Sequence, residues 1–340
     1  MDLENLTGFP AKVMAGGVVT KTPSFESLAR SKGKLPEGVS VRGLLIVKCT
    51  LDYKDGAWTP AKDPFPIWDE DEQGPPFFEK DIMFQKDGLD LAIIGSARAP
   101  SEPVTQMTVS VAIGAWSRRL AVFGPRFWFK RLWQFVPSDP QPFTEMPIIL
   151  ENAYGGETVD EKGEAAVSPM NPVGKGYTFP NKKSQVEGVP LPNIEDPAHL
   201  ISDIQEKPDP VGFGFLPVTH GLRLCAGLRP KPGGGMPEIL LRINNAAYPG
   251  MTLPRYPAGE TLEIEGMTVP SPWRAKLPAF PAQAELKGDG GTRLLPLEPD
   301  TLCLLLDQRR MYITAKGRFD YDLEHPPTLT AVVRPKEGGA

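Results

Sequence analysis

The stretch QMTVSVAIGAW, residues 106–116, alternates apolar with small or polar side chains at a period of two. Val109, Val111 and Ile113 fall on one face, and Thr108, Ser110 and Ala112 on the other. That is the pattern of a strand with one face in a core and one toward water. The same texture recurs in VRGLLIVKCTLDY (41–53), LDLAIIGSARA (89–99) and RLAVFGPRFWF (119–129). It returns toward the C-terminus in TLEIEGMTV, TLCLLLDQ, MYITAKGRFDYDL and TLTAVVRP, where the break DQRR between CLLL and MYIT reads as a hairpin. The expectation is a mainly β protein, two packed sandwich-like β-rich parts joined by an ordered Pro/Gly-rich loop layer.

Composition agrees. The hydrophobic fraction of 40% and charged fraction of 23% are those of a chain that folds. Its 39 prolines and 34 glycines among 340 residues make up roughly a fifth of the chain, against about 12% on average, and leave little room for long helices. Two short helices are expected, SFESLARSKG (24–33), capped by Ser24, and DPAHLISDIQE (196–206), capped by Asp196.

Residues 137–235 have a different texture, crowded with Pro and Gly in PSDPQPFTEMP, ENAYGG, NPVGKGYTFPN, VPLPNIEDP, KPDPVGFGFLP and RPKPGGGMP. So long a structureless insertion is uncommon in a compact domain. The interspersed Phe143, Met146, Tyr154, Tyr177, Phe179, Leu191, Phe213 and Phe215 predict loops that pack. The triple glycine at 233–235 is the best linker, dividing an N-terminal part (1–235) from a C-terminal β-rich part (236–340).

A net charge of −5 argues against a protein whose task is to neutralise nucleic-acid backbone. Cys49, Cys225 and Cys303 are odd in number and far apart, and read as buried thiols in a reducing compartment. The opening MDLENLTGFPAK has neither a basic start nor an apolar core, and no apolar run nears the length of a membrane span. The expected location is cytoplasmic.

Three motifs imitate known sites. NPVGKGYTFP (171–180) flanks Lys175 with glycines as a phosphate loop does, but Pro169 stands where the first glycine belongs and Gly176 where the hydroxyl belongs. DEDEQG (69–74) begins like a calcium loop, yet its twelfth position is Lys80 rather than a glutamate, so a solvated acidic turn is expected. FWFKRLWQF (127–135) mixes aromatics with Lys130 and Arg131 like a single-strand nucleic-acid platform. Read as one strand, it puts Phe127, Phe129, Trp133 and Phe135 on a core face and Trp128, Lys130, Leu132 and Gln134 opposite; a partner surface is the alternative. His199, His220 and His325 lie in no nucleophile or zinc pattern and read as surface or satisfied core residues.

Further words run in order: LIVKCTLDYKDGAWTPA (45–61), FFEKDIMFQKDGLDLAIIGSARAP (77–100), VSVAIG with LAVFGPRFW, PFTEMPIILENAYGG, NPVGKGY, LPNIEDP and GFGFLP. A fainter trace continues as INNAAYPGM, GETLEIEGM and LEPDTLCLLLDQ, so that the words cover about residues 40 to 310. With them the chain resembles the bacterial domain-of-unknown-function family 2169, found beside genes for the type VI secretion spike (VgrG), its PAAR tip and toxic effectors. It departs from that pattern at THGLRLCAGLRPKPGGG, which lacks the tryptophans and arginine-rich segment, and at ITAKGRF, which replaces a Trp-Arg pair. A divergent member with its own partner is implied.

The resemblance implies a cytoplasmic adaptor or chaperone that holds a cognate toxin and assists its loading on the spike, with VgrG or the PAAR tip as further partners. Such a protein needs no nucleophile, metal or cofactor, and no nucleic acid or membrane partner. The alternatives are a structural component of the spike or tip, and a hydrolase on a β scaffold. The signature set, structural first and partner-binding second, is Arg126, Trp128, Glu145, Met146, Pro147, Glu151, Tyr154, Gly155, Gly156, Asn171, Pro172, Gly174, Lys175, Gly176, Asn193 and Glu195. Its glycines permit positive φ, its prolines fix φ, and its polar side chains can bond the backbone groups that irregular loops leave free. Arg126 and Lys175 are candidate cationic partners of the carboxylates, Lys175 either tied to one such as Glu151 or Glu195 or standing free to meet the toxin.

Overall fold

The computed structural model describes residues 2–19, 40–72, 76–160, 162–179, 186–288, 291–322 and 330–336. The protein is mainly β. The strand Gln106–Ile113 turns Val109, Val111 and Ile113 into the core, as its alternation predicts. It pairs with Trp116–Phe123 and Thr261–Glu265 in a five-stranded sheet completed by Ile194–Glu195 and Trp273–Lys276.

A seven-stranded sheet runs Thr252–Leu253, Leu89–Ile94, Glu298–Leu305, Arg310–Asp322, Ser40–Lys54 and Ala11–Val19, with Ala57–Pro60 also paired to Ser40–Lys54. Glu298–Leu305 and Arg310–Asp322 are antiparallel around DQRR, closing at Leu305 opposite Arg310. Leu45, Val47, Cys49 and Leu51 from one strand, Met311, Ile313 and Ala315 from the next, and Leu89, Leu91 and Ile93 all enter one apolar core. Leu120, Val122, Leu262 and Ile264 of the five-stranded sheet join the same core, which makes the arrangement sandwich-like. A third sheet, Asp2–Asn5, Thr330–Pro335, Ala282–Gly288 and Gly291–Leu295, adds Ala284, Leu286 and Val333 to it.

Strands from both sides of the triple glycine share these sheets: Ser40–Lys54 pairs along its length with Arg310–Asp322, and Asp2–Asn5 with Thr330–Pro335. The triple glycine itself lies between Leu228–Arg229 and Glu238–Ile239, which pair with each other, and all three glycines have left-handed φ. Only glycine adopts three such residues in a row without strain.

Three expectations are corrected. FWFKRLWQF is a hairpin rather than one strand: Trp128–Arg131 pairs with Gln134–Pro137 across the two-residue turn Leu132–Trp133. Trp128, expected opposite the core, is buried, while Trp133 and Phe127, expected on the core face, are 90% and 41% exposed; Phe135 packs on the cluster that holds Trp128, and Leu132 is exposed, as expected. DPAHLISDIQE forms two turns instead of a helix, because Asp196 and Asp203 each fold back on the backbone, accepting from the N–H groups of Ala198 and Gln205. SFESLARSKG lies outside the described residues. The one α-helix among the described residues is Gly221–Gly227, within the divergent THGLRLCAGLRP; its outward face exposes Cys225, so that only Cys49 and Cys303 are buried thiols.

Candidate functional site

The loop layer is organised around Asn171, which is fully buried. Its side-chain amide nitrogen donates to the carbonyls of Leu150 at 2.9 Å and Tyr154 at 3.1 Å, and its backbone carbonyl accepts from the Gly156 N–H at 2.8 Å. One side chain thus ties ENAYGG to NPVGKGY. The two words also pair directly, Tyr154–Gly155 running parallel to Lys175–Gly176. Gly155 has φ 146°, and a Cβ there would press on the Asn171 carbonyl, so the close approach itself requires glycine.

Lys175 bonds neither expected carboxylate. Its ammonium donates to the side-chain carbonyls of Asn152 and Asn193, each at 2.9 Å. Asn193 in turn donates to the Phe123 carbonyl at 2.9 Å, and Asn152 to that of Pro147 at 2.9 Å, so the lysine clamps two loops to the five-stranded sheet. Burial lowers its pKa, while the Glu151 charge pulls it back up. Glu195 pairs instead with Arg126, and its second oxygen accepts the Ile201 N–H at 2.8 Å. Burial pushes the Glu195 carboxyl up and the Arg126 guanidinium down, and each charge opposes the other's displacement.

The rest of the signature set divides by burial. Trp128, Tyr154, Val186, Leu191 and Ile201 form a small apolar cluster under the hairpin. The Tyr154 hydroxyl is buried and has no hydrogen-bond partner among the described residues, and burial raises its pKa. Met146 enters the main core, while Glu145 meets Arg98 at 3.1 Å; Pro147 and Pro172 are exposed.

Beside these loops lies a groove of about 450 Å³ lined by Phe77, Ile94, Ile149, Leu150 and Phe215, with Val173, Glu151 and Asp307 also in its wall. Asp307 is held by Arg98 at 2.7 Å. The Glu151 carboxylate has no hydrogen-bond or ion-pair partner among the described residues, and Val173 is 55% exposed. The apolar wall and the unpaired carboxylate suit a segment that carries apolar side chains and a cation.

On the far face of the seven-stranded sheet, four cations meet four carboxylates in the interior. Lys48 contacts Asp81 at 2.8 Å; Lys86 contacts Glu79 at 2.7 Å and Asp90 at 2.8 Å; Arg223 contacts Glu79 at 2.6 Å; Lys316 contacts Asp300 at 2.7 Å. Lys48 also lies 3.1 Å from the centre of the Trp68 ring. Burial lowers its pKa to about 8 against the pull of Asp81. Burial would lower Lys86 too, but Asp90 and Glu79 together raise it. Thr314 and the Trp68 N–H complete the shell of Asp81, each at 2.8 Å. The network fastens residues 76–88 and the helix Gly221–Gly227 onto the sheet, a structural use of charge. Sequence reasoning passed over it. The available signal was a charge inside an otherwise apolar strand, as in LIVKC, LDLAII and ITAKG.

A family model described as an uncharacterized protein conserved in bacteria, DUF2169, matches residues 39–316. The chain belongs to the DUF2169 family. No curated protein and no solved structure matches it. The DUF2169 match takes in both the loop layer and the buried charge network, and stops short of Asp2–Asn5 and Thr330–Pro335, which pair with each other.

Proposed function

We propose that this DUF2169 protein is a cytoplasmic adaptor or chaperone that binds a cognate type VI secretion effector and assists its loading on the VgrG/PAAR spike. The observation that carries the reading is the apolar groove walled by braced signature loops, with Glu151 unpaired and Val173 exposed. A preformed groove holds a segment without first ordering its own loops, which lowers the entropic cost of binding. The occupant is an apolar segment of the effector bearing a lysine or arginine opposite Glu151.

Coexpression with the effector encoded beside the gene tests this. A complex is expected on gel filtration, with the effector degraded when expressed alone. Val173→Arg and Glu151→Lys are expected to weaken the complex about tenfold or more without unfolding the protein. An effector that is stable alone and forms no complex overturns the proposal. Recovery of this protein outside the cell with the spike favours a tip component instead.

A further inference from the structure

The hairpin Trp128–Pro137 breaks a local rule at its tip. Two-residue hairpin turns call for positive φ and favour Asn-Gly, Asp-Gly or Gly-Gly. Here the turn is Leu132–Trp133, and Leu132 sits at φ 56°, a region that disfavours a branched, bulky side chain. Both side chains face solvent, so neither adds to the core. Leu132 and Trp133 thus carry strain and apolar exposure with no return in folding, the combination expected where a residue is kept for contact with something else.

The base of the hairpin is rigid. Trp128 is buried against Tyr154 of the signature loops, its N–H donates to the Val189 carbonyl at 2.9 Å, and its carbonyl accepts from Gly188 at 2.8 Å. The side chains of Lys130 and Arg131, next to the tip, are exposed and have no ion-pair or hydrogen-bond partner among the described residues. The tip is therefore a cationic, aromatic knob on a chain whose net charge is −5.

We propose that the tip of this hairpin is a second anchor for the effector, Trp133 and Leu132 entering an apolar socket whose rim supplies carboxylates to Lys130 and Arg131. This deepens the adaptor reading and rests on it. Tryptophan and arginine are the residues most enriched at energetic centres of interfaces, and a fixed knob loses little freedom when it docks. A protein socket fits better than a lipid surface: one Trp, one Leu and two cations fall short of the polybasic clusters and large apolar faces that hold proteins on membranes.

The test uses the full-length protein and the purified effector encoded beside it, with affinity measured by titration calorimetry. Trp133→Ala is expected to weaken binding about tenfold to a hundredfold with an unchanged melting temperature. Leu132→Gly is the sharper variant, because glycine accepts the left-handed turn: stability is expected to hold or rise while affinity falls. Lys130→Glu with Arg131→Glu is expected to weaken binding at low salt and remove most of its salt dependence. Equal affinity of all three variants with wild type overturns the second anchor and leaves the adaptor reading standing. No binding by wild type overturns both. Wild-type cosedimentation with phosphatidylcholine–phosphatidylserine vesicles that Trp133→Ala abolishes also overturns the socket, in favour of a lipid contact.

Discussion

Replacing Asn171 by alanine removes both donors that join the loop words, while leaving the backbone free to keep its path. The Tyr154 carbonyl is buried and the Leu150 carbonyl partly so. A buried acceptor left without its donor costs about 1–3 kcal/mol, and the partly solvated Leu150 carbonyl only about 1 kcal/mol, so the two together cost about 2–4 kcal/mol. The lost amide volume at a fully buried site adds about 1 kcal/mol. Unfolding entropy near 60 °C is about 2.1 cal/mol/K per residue, or roughly 0.7 kcal/mol/K over 340 residues. Asn171→Ala should therefore melt about 4–7 °C below wild type, read by differential scanning calorimetry. Glu151→Ala, which removes a side chain with no hydrogen-bond or ion-pair partner among the described residues, should melt within about 1 °C of wild type. If the two variants melt together, or Asn171→Ala melts with wild type and loses only effector binding, the reasoning that makes Asn171 a structural tie is refuted.

Three further outcomes follow from the same geometry. His220 caps Gly221–Gly227 by accepting the Leu222 N–H at Nδ1, and burial lowers its pKa from 6.5 to about 4. Between those values the unfolded chain binds the extra proton, so stability is full above pH 6.5 and falls as pH drops toward 4, by at most about 3 kcal/mol and less where solvent screens the ring. His220→Asn keeps a capping acceptor, and urea melts should show a flatter profile across that window; parallel profiles for the two proteins count against this role. Lys86→Met leaves Glu79 and Asp90 short of a cation in the interior and should cost about 3–5 kcal/mol in denaturant melts, whereas a cost below 1 kcal/mol shows that the network relaxes around the loss. Gly155→Ala meets both the positive φ and the Asn171 carbonyl and should cost about 2 kcal/mol or more, an expectation that unchanged thermal stability overturns.

The buried polar side chains show where a linear reading stops. Asp81 and Thr314 meet across 233 residues of chain, and Arg126 and Glu195 across 69. Lys175 was legible as a cation in need of a partner, but its partners are two asparagine carbonyls, and Glu151, the nearer guess, faces the groove. The hairpin at 128–137 was missed for a different reason. Its turn holds no Gly, Asn, Asp or Pro, so nothing punctuates the alternation, and Trp128 and Trp133 were each assigned to the wrong side.

Sequence alone determined the strands and the burial of Val109, Val111 and Ile113, because a period of two reports the local conformation of a chain against one apolar surface. It also marked residues 137–235 as packed loops, since aromatics spaced among Pro and Gly have to be covered. Tertiary structure alone decided which charges pair, which tryptophan of FWFKRLWQF lies inside, and which carboxylate stays free. Those choices depend on segments that meet only when the sheets assemble, and no local pattern carries that distance.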